Sequence, residues 1–126
     1  MGTILLVDNH PGFRQSVGRY LTLGGFSVVE ADSGPAALLT LDSRTDIYLV
    51  ITDLNMPEMT GFDLIRRVRA DPRWQATPIV VLSVSGSPEI REQAKAIGAS
   101  AFMQKPFQLP EFLDAIRPLL KDQNGG

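Results

Sequence analysis

Five apolar runs of strand length alternate with stretches of helical period, and nothing else in the chain limits its fold so strongly. The runs are Thr3 to Asp8, Ser27 to Ala31, Ile47 to Thr52, Ile79 to Leu82 and Ala101 to Met103. Such alternation is the pattern of βαβ units, which build one parallel sheet. Their hydrophobicity is continuous rather than alternating, which predicts strands covered on both faces.

The stretches between them carry helix punctuation. Pro11 suits a first-turn position, Phe13, Val17 and Leu21 recur at i, i+4 and i+8, and Gly24 and Gly25 stop that helix. Ser33 is an N-cap candidate for a second helix with Ala37, Leu38 and Leu41 inward. Thr60 with Asp63 resembles a capping box, followed by the stripe Leu64, Ile65 and Val68. Ser87 before Pro88 opens a fourth helix, with Ile90, Ala94 and Ile97 on one face and Gly98 as its stop. A fifth begins near Pro110 and buries Phe112, Leu113, Ile116 and Leu120. Right-handed crossovers then predict an α/β, flavodoxin-like, doubly wound parallel sheet of five strands, order 2-1-3-4-5, with five helices.

At 126 residues there is room for one such domain and no second. Its expected extent is 1–122, with 123–126 (Gln123, Asn124, Gly125, Gly126) as a frayed tail or linker start. A formal charge of −2 provides no basic field for nucleic acid, so no direct nucleic-acid partner is expected. The absence of cysteine excludes disulfides, zinc–thiolate sites and thiol catalysis. No apolar stretch is long enough to span a bilayer and no leader pattern opens the chain, so a cytoplasmic, membrane-free location is expected.

Four of the runs end in one polar group each: Asp8, Asp53, Ser83 and Lys105. On parallel strands these emerge at one sheet edge, where ligands bind in open α/β sheets. Strands one and three are neighbours in the expected order, so Asp8 and Asp53 should lie side by side. A carboxylate attacks a phosphoryl group poorly because both are negative, and a divalent cation between them removes the repulsion. Mg²⁺ takes one or two carboxylates and further oxygens, here Asp8, Asp53 and the backbone carbonyl of Asn55. Lys105 and the Ser83 hydroxyl can donate to phosphoryl oxygens.

Read together, Leu6-Val7-Asp8, Thr52-Asp53-Leu54-Asn55-Met56-Pro57 with Gly61, Val81-Leu82-Ser83 and Lys105-Pro106-Phe107 resemble the receiver domain of bacterial two-component response regulators, of the CheY-like kind. The likeness runs from about Thr3 to Leu120. It implies that Asp53 is the phosphoacceptor, Asp8 helps hold Mg²⁺, Ser83 is the switch hydroxyl, Lys105 contacts the phosphoryl group and Phe102 is the switch aromatic. It implies a cis peptide before Pro106. The implied donor is a sensor histidine kinase or phosphotransfer protein. The implied output is a downstream effector docking on the helix 4/strand 5/helix 5 face, from a monomer or a phosphorylation-dependent dimer. Such a domain catalyses its own modification and turns over no separate substrate.

One position departs from the family. Two adjacent acids usually follow strand one; here they are Asp8 and Asn9. An amide oxygen can ligate Mg²⁺ but brings no charge, and one charge at about 4 Å is worth roughly 1 kcal/mol in water and about 4 at intermediate dielectric. Weak Mg²⁺ binding is therefore expected. Three alternatives remain open. One is a pseudo-receiver that binds partners unphosphorylated because Asn9 weakens the metal site. Another is a phosphatase of the haloacid dehalogenase type, which would want an acid where Asn55 stands. The last is a flavin binder, which would want a phosphate-cradling loop after strand one. His10, beside Pro11, is expected at the surface. Arg66, Arg67 and Arg69 are expected on a solvated face at a helix C-terminus, and Trp74 over the end of helix three.

Overall fold

The computed structural model describes residues 2–124, with side chains for residues 2–120. Its elements alternate as β1 (Thr3–Val7), α1 (Pro11–Leu23), β2 (Ser27–Ala31), α2 (Gly34–Ser43), β3 (Ile47–Asp53), α3 (Gly61–Ala70), β4 (Ile79–Ser83), α4 (Pro88–Ala96), β5 (Ala101–Gln104) and α5 (Leu109–Asn124). All neighbouring strands pair in parallel, in the order β2-β1-β3-β4-β5. The expected architecture is the observed one.

Helices cover both faces of the sheet. Ile4, Leu6, Leu49, Ile51, Val80 and Leu82 point to one side and meet Val17 and Leu21 of α1 and Phe112, Leu113, Ile116 and Leu120 of α5. Leu5, Val7, Val50, Ile79 and Val81 point to the other and meet α2, α3 and α4 through Ala37, Leu41, Leu64, Ile65, Val68 and Ala94. β1, β3 and β4 are therefore sealed on both sides, as continuous hydrophobicity predicts. The expectation fails at the sheet's edges: β2 exposes Ser27 and Glu30, and β5 is only half covered. An edge strand has a neighbour on one side only, so its outer rim meets water.

The helix starts follow their caps. Ser33 Oγ accepts from Ala36 N–H, Ser87 Oγ from Ile90 N–H, and Thr60 with Asp63 forms the reciprocal capping box. The turn after α4 passes through Gly98, whose φ of 119° an L side chain rarely adopts. The Lys105–Pro106 peptide is cis. Trp74 is buried with the residues under α3, as expected.

One further expectation needs correcting. Arg66 and Arg67 are solvated, but Arg69 is half-buried and donates to the carbonyls of Gly98, Gln75 and Thr77 at 2.7 to 3.1 Å. It ties α3 to the turn before β5, and its burial lowers the guanidinium pKa from its ordinary value. α5 runs to Asn124; Gly125 and Gly126 lie outside the described residues. Among the described residues no helix is long and apolar enough to cross a membrane.

Candidate functional site

Asp53 is the last residue of β3, and Asp8 follows the last residue of β1. β1 and β3 are adjacent with Val7 opposite Thr52, so the next residue on each chain brings the two carboxylates together. Lys105 directly follows β5, beyond β4 from β3. Its long stem reaches back over that strand. The ammonium lies 2.9 Å from Asp8 Oδ2 and 3.4 Å from Asp53 Oδ2.

All three groups are nearly dry: side-chain exposure is 2% for Asp8, 6% for Asp53 and 11% for Lys105. Buried charge must be hydrogen-bonded as well as paired. Asp8 Oδ1 accepts from His10 N–H at 2.9 Å, at the start of α1, where the helix end favours an anion. Asp53 Oδ1 accepts from Leu54 N–H at 2.7 Å and Asn55 N–H at 3.4 Å, which fixes the carboxylate plane and turns Oδ2 to Lys105. Gly61 lets α3 approach this point, because a Cβ there would collide with the Asp53 carbonyl oxygen and Leu54 Cα.

Among the described residues, two buried acids thus share one ammonium, with the His10 imidazole 3.4 Å from Asp8 Oδ1. The carboxylates of Asp8 and Asp53 and the exposed imidazole of His10 can place ligand atoms within 4.8 Å of one another. Next to them in the chain, the side-chain oxygen of Asn9 is buried with no hydrogen-bond partner. Two carboxylates sharing one ammonium, and an orphaned amide oxygen on the residue after Asp8, are what a hard, oxygen-seeking cation would satisfy. The residues present fit Mg²⁺.

Ser83 and Phe102 stand further along the edge. Ser83 closes β4 and is buried; its Oγ accepts from Ser85 N–H at 3.2 Å, and its carbonyl accepts from Lys105 N–H at 2.8 Å. The backbone is thus tied to the ammonium's own residue while the hydroxyl is held by its own loop. Phe102, half-buried on β5, lies under the Arg91 guanidinium at 4.7 Å, and Arg91 Nε donates to the Gly86 carbonyl at 3.0 Å. The site therefore brings Asp8, Asp53 and Lys105 into contact, with Asn55 bound through its amide. Ser83 and Phe102 sit on the adjoining strands.

Sequence reasoning missed Arg14 as part of this edge. Its Nη1 donates to the Asp8 carbonyl at 2.7 Å and its Nε to Glu30 Oε1 at 2.9 Å, clasping the end of β1 between α1 and β2. The available signal was Glu30 itself, an acid directly after Val28 and Val29 in a strand. His10 is exposed as expected, yet its Nδ1 comes within 3.4 Å of Asp8 Oδ1.

Known proteins are similar to this chain in sequence and in fold. The family model described as the response regulator receiver domain matches residues 4–117. The chain is 37% identical over 105 residues to chemotaxis protein CheY1 of Helicobacter pylori, covering 82% of this chain and 85% of that one. It is 35% identical over 123 residues to chemotaxis protein CheY of Pseudomonas aeruginosa, covering 97% and 98%. The solved chemotaxis response regulator CheY4 of Vibrio cholerae superposes with a TM-score of 0.89 at 34% identity, over 95% of this chain and 99% of that one.

Proposed function

The chain belongs to the response regulator receiver domain family, and from that premise we propose that Asp53 accepts a phosphoryl group from a phosphohistidine. The donor is a sensor histidine kinase or phosphotransfer protein. An Asp53 carboxylate oxygen forms the new P–O bond, the P–N bond breaks, and the imidazole leaves with the electron pair. The observation that carries this reading is one ammonium held across two buried carboxylates at the sheet edge. Mg²⁺ would be held by Asp8, Asp53, the Asn55 backbone carbonyl and the Asn9 side-chain oxygen. When bound, it offsets the repulsion between carboxylate and phosphoryl oxygens. Lys105 supplies a fixed charge for the phosphoryl oxygens. The domain modifies itself and turns over no separate substrate.

Phosphorylation adds about one to two negative charges and three strong acceptors. Lys105 and Ser83 can each gain a charge-assisted contact worth about 1.5 to 3 kcal/mol. Together these approach the roughly 5.5 kcal/mol needed to invert a two-state equilibrium. Ser83 Oγ accepts from Ser85 N–H, and a hydroxyl that accepts can still donate its O–H to the phosphate. The segment 84–87 follows, and Phe102 turns towards the space it leaves. The α4/β5/α5 face then presents a changed surface to a downstream effector or a second phosphorylated copy.

The test is intact mass after acetyl phosphate treatment, with and without Mg²⁺, on wild type and Asp53→Asn. An adduct only in wild type with metal is the expected result. Because Asn9 brings no charge, phosphorylation should need more Mg²⁺ than in a receiver with two acids after β1; saturation in the low micromolar range would remove that role for Asn9. Asn9 also supports a second reading, a pseudo-receiver acting unphosphorylated. Wild type with no adduct at any Mg²⁺ concentration would favour it.

A further inference from the structure

We propose that Phe13 is a positioning residue for the phosphoryl transfer: its ring face holds the Lys105 ammonium against Asp8 and Asp53. An ammonium has three N–H donors. Two sides are occupied by Asp8 Oδ2 at 2.9 Å and Asp53 Oδ2 at 3.4 Å. On another lies the Phe13 ring, its centroid 4.0 Å from Nζ. The negative face of an aromatic ring attracts a cation, most strongly where water is excluded. The ring thus covers a further side of the ammonium.

The ring is itself fixed. Phe13 meets Phe107 edge-on at 6.0 Å and 85°, and Phe107 packs at 5.2 Å on Phe112, which is fully buried. Three rings thus join α1, the segment after Pro106 and α5, and the line ends on the ammonium. The stem of a lysine is flexible and its head is a point charge. Of the two carboxylate contacts of Lys105 the one to Asp8 is the shorter. Phe13 restricts the stem to positions that also reach Asp53.

This inference rests on the phosphoacceptor reading, so the experiment separates the two. Phe13 is replaced by 4-fluoro-, 3,4,5-trifluoro- and pentafluorophenylalanine, which keep the ring and progressively weaken its negative face. The rate constant for phosphorylation by acetyl phosphate at saturating Mg²⁺ is measured for each, and for Phe13→Leu and Phe13→Tyr. The rate should fall stepwise along the fluorinated series by roughly three- to tenfold. Phe13→Leu should lie at the bottom and Phe13→Tyr near wild type. In the unphosphorylated protein, the Lys105 ε-methylene protons should show an upfield ring-current shift that Phe13→Leu removes. A flat series in a protein that does become phosphorylated overturns the role of Phe13 alone, since a purely structural ring would not respond to fluorination. Wild type that takes no phosphoryl group overturns the phosphoacceptor reading instead. The ε-methylene shift then decides whether the ring holds the ammonium.

Discussion

Where the strands begin, Asp46 is paired bidentately with Arg44 and also accepts from the Thr3 hydroxyl, while Arg73 lies between Asp42 and Asp71. Where the strands end, Asp8 and Asp53 share Lys105. The charges are unequal at both ends, three acids to two guanidinium groups and two acids to one ammonium. Water makes the difference. Arg44 and Asp46 are 37% and 40% exposed, so solvent and salt absorb any imbalance there. At the other end the imbalance is buried, and it is felt as a standing demand for another cation. The exposed end contributes a little stability; the buried end gives up stability to hold two carboxylates against one ammonium.

Removing Lys105 should break this comparison most severely. Lys105→Met leaves two buried carboxylates unpaired and should lower stability in Mg²⁺-free buffer by about 3 kcal/mol. Adding Asp8→Asn should restore much of the loss, because the buried charge returns to a single negative. Urea unfolding of both variants, beside Arg44→Met at the exposed end, measures this. A loss no larger for Lys105→Met than for Arg44→Met would mean that the buried site is better solvated than its burial indicates.

Backbone support of the site gives a smaller effect. At Gly61 an added Cβ meets backbone atoms of Asp53 and Leu54, so Gly61→Ala should destabilise by about 2 kcal/mol. At Gly12, in the first turn of α1, an added Cβ meets nothing within 4 Å, and Gly12→Ala should be neutral or slightly stabilising. Thermal unfolding of the pair sharpens the contrast between a crowded acceptor and an open helix start.

The smallest effect belongs to the exposed end. Hydrogen bonds from Arg44 and then Thr3 hold the Asp46 carboxyl well below the usual carboxylate range. A depressed folded pKa contributes stability that is present above the unfolded value near pH 4 and lost as pH falls towards the folded one. The stability advantage of wild type over Asp46→Asn should therefore shrink between about pH 5 and pH 2. A constant difference across that window would show that the pair adds nothing that titrates. Asp71, lowered by its hydrogen bonds from Arg73, follows the same sign.

Legibility in the sequence followed the range of the interaction. Ser33, Thr60 and Ser87 could be read as caps because a cap binds its own chain three residues on. The stripe Leu64, Ile65 and Val68 was equally readable, because helix period alone decides which residues share a face. Arg69 was misjudged as solvated because its acceptors at Gly98, Gln75 and Thr77 belong to two other turns. Arg14 was missed for the same reason: its partners are Asp8, just past β1, and Glu30 on β2.

By itself the chain determined its five strands and five helices, their order in the sheet, and the polar residue that ends each of four strands, since these depend on local period, capping and crossover handedness. Only the tertiary structure decided that Lys105 reaches Asp8 across 97 residues and Asp53 across 52, that Phe13 lies against the ammonium, and that the Asn9 oxygen is buried without a partner. Those contacts depend on strand register and on side-chain reach across the sheet edge, and neither quantity is written in any short stretch of sequence.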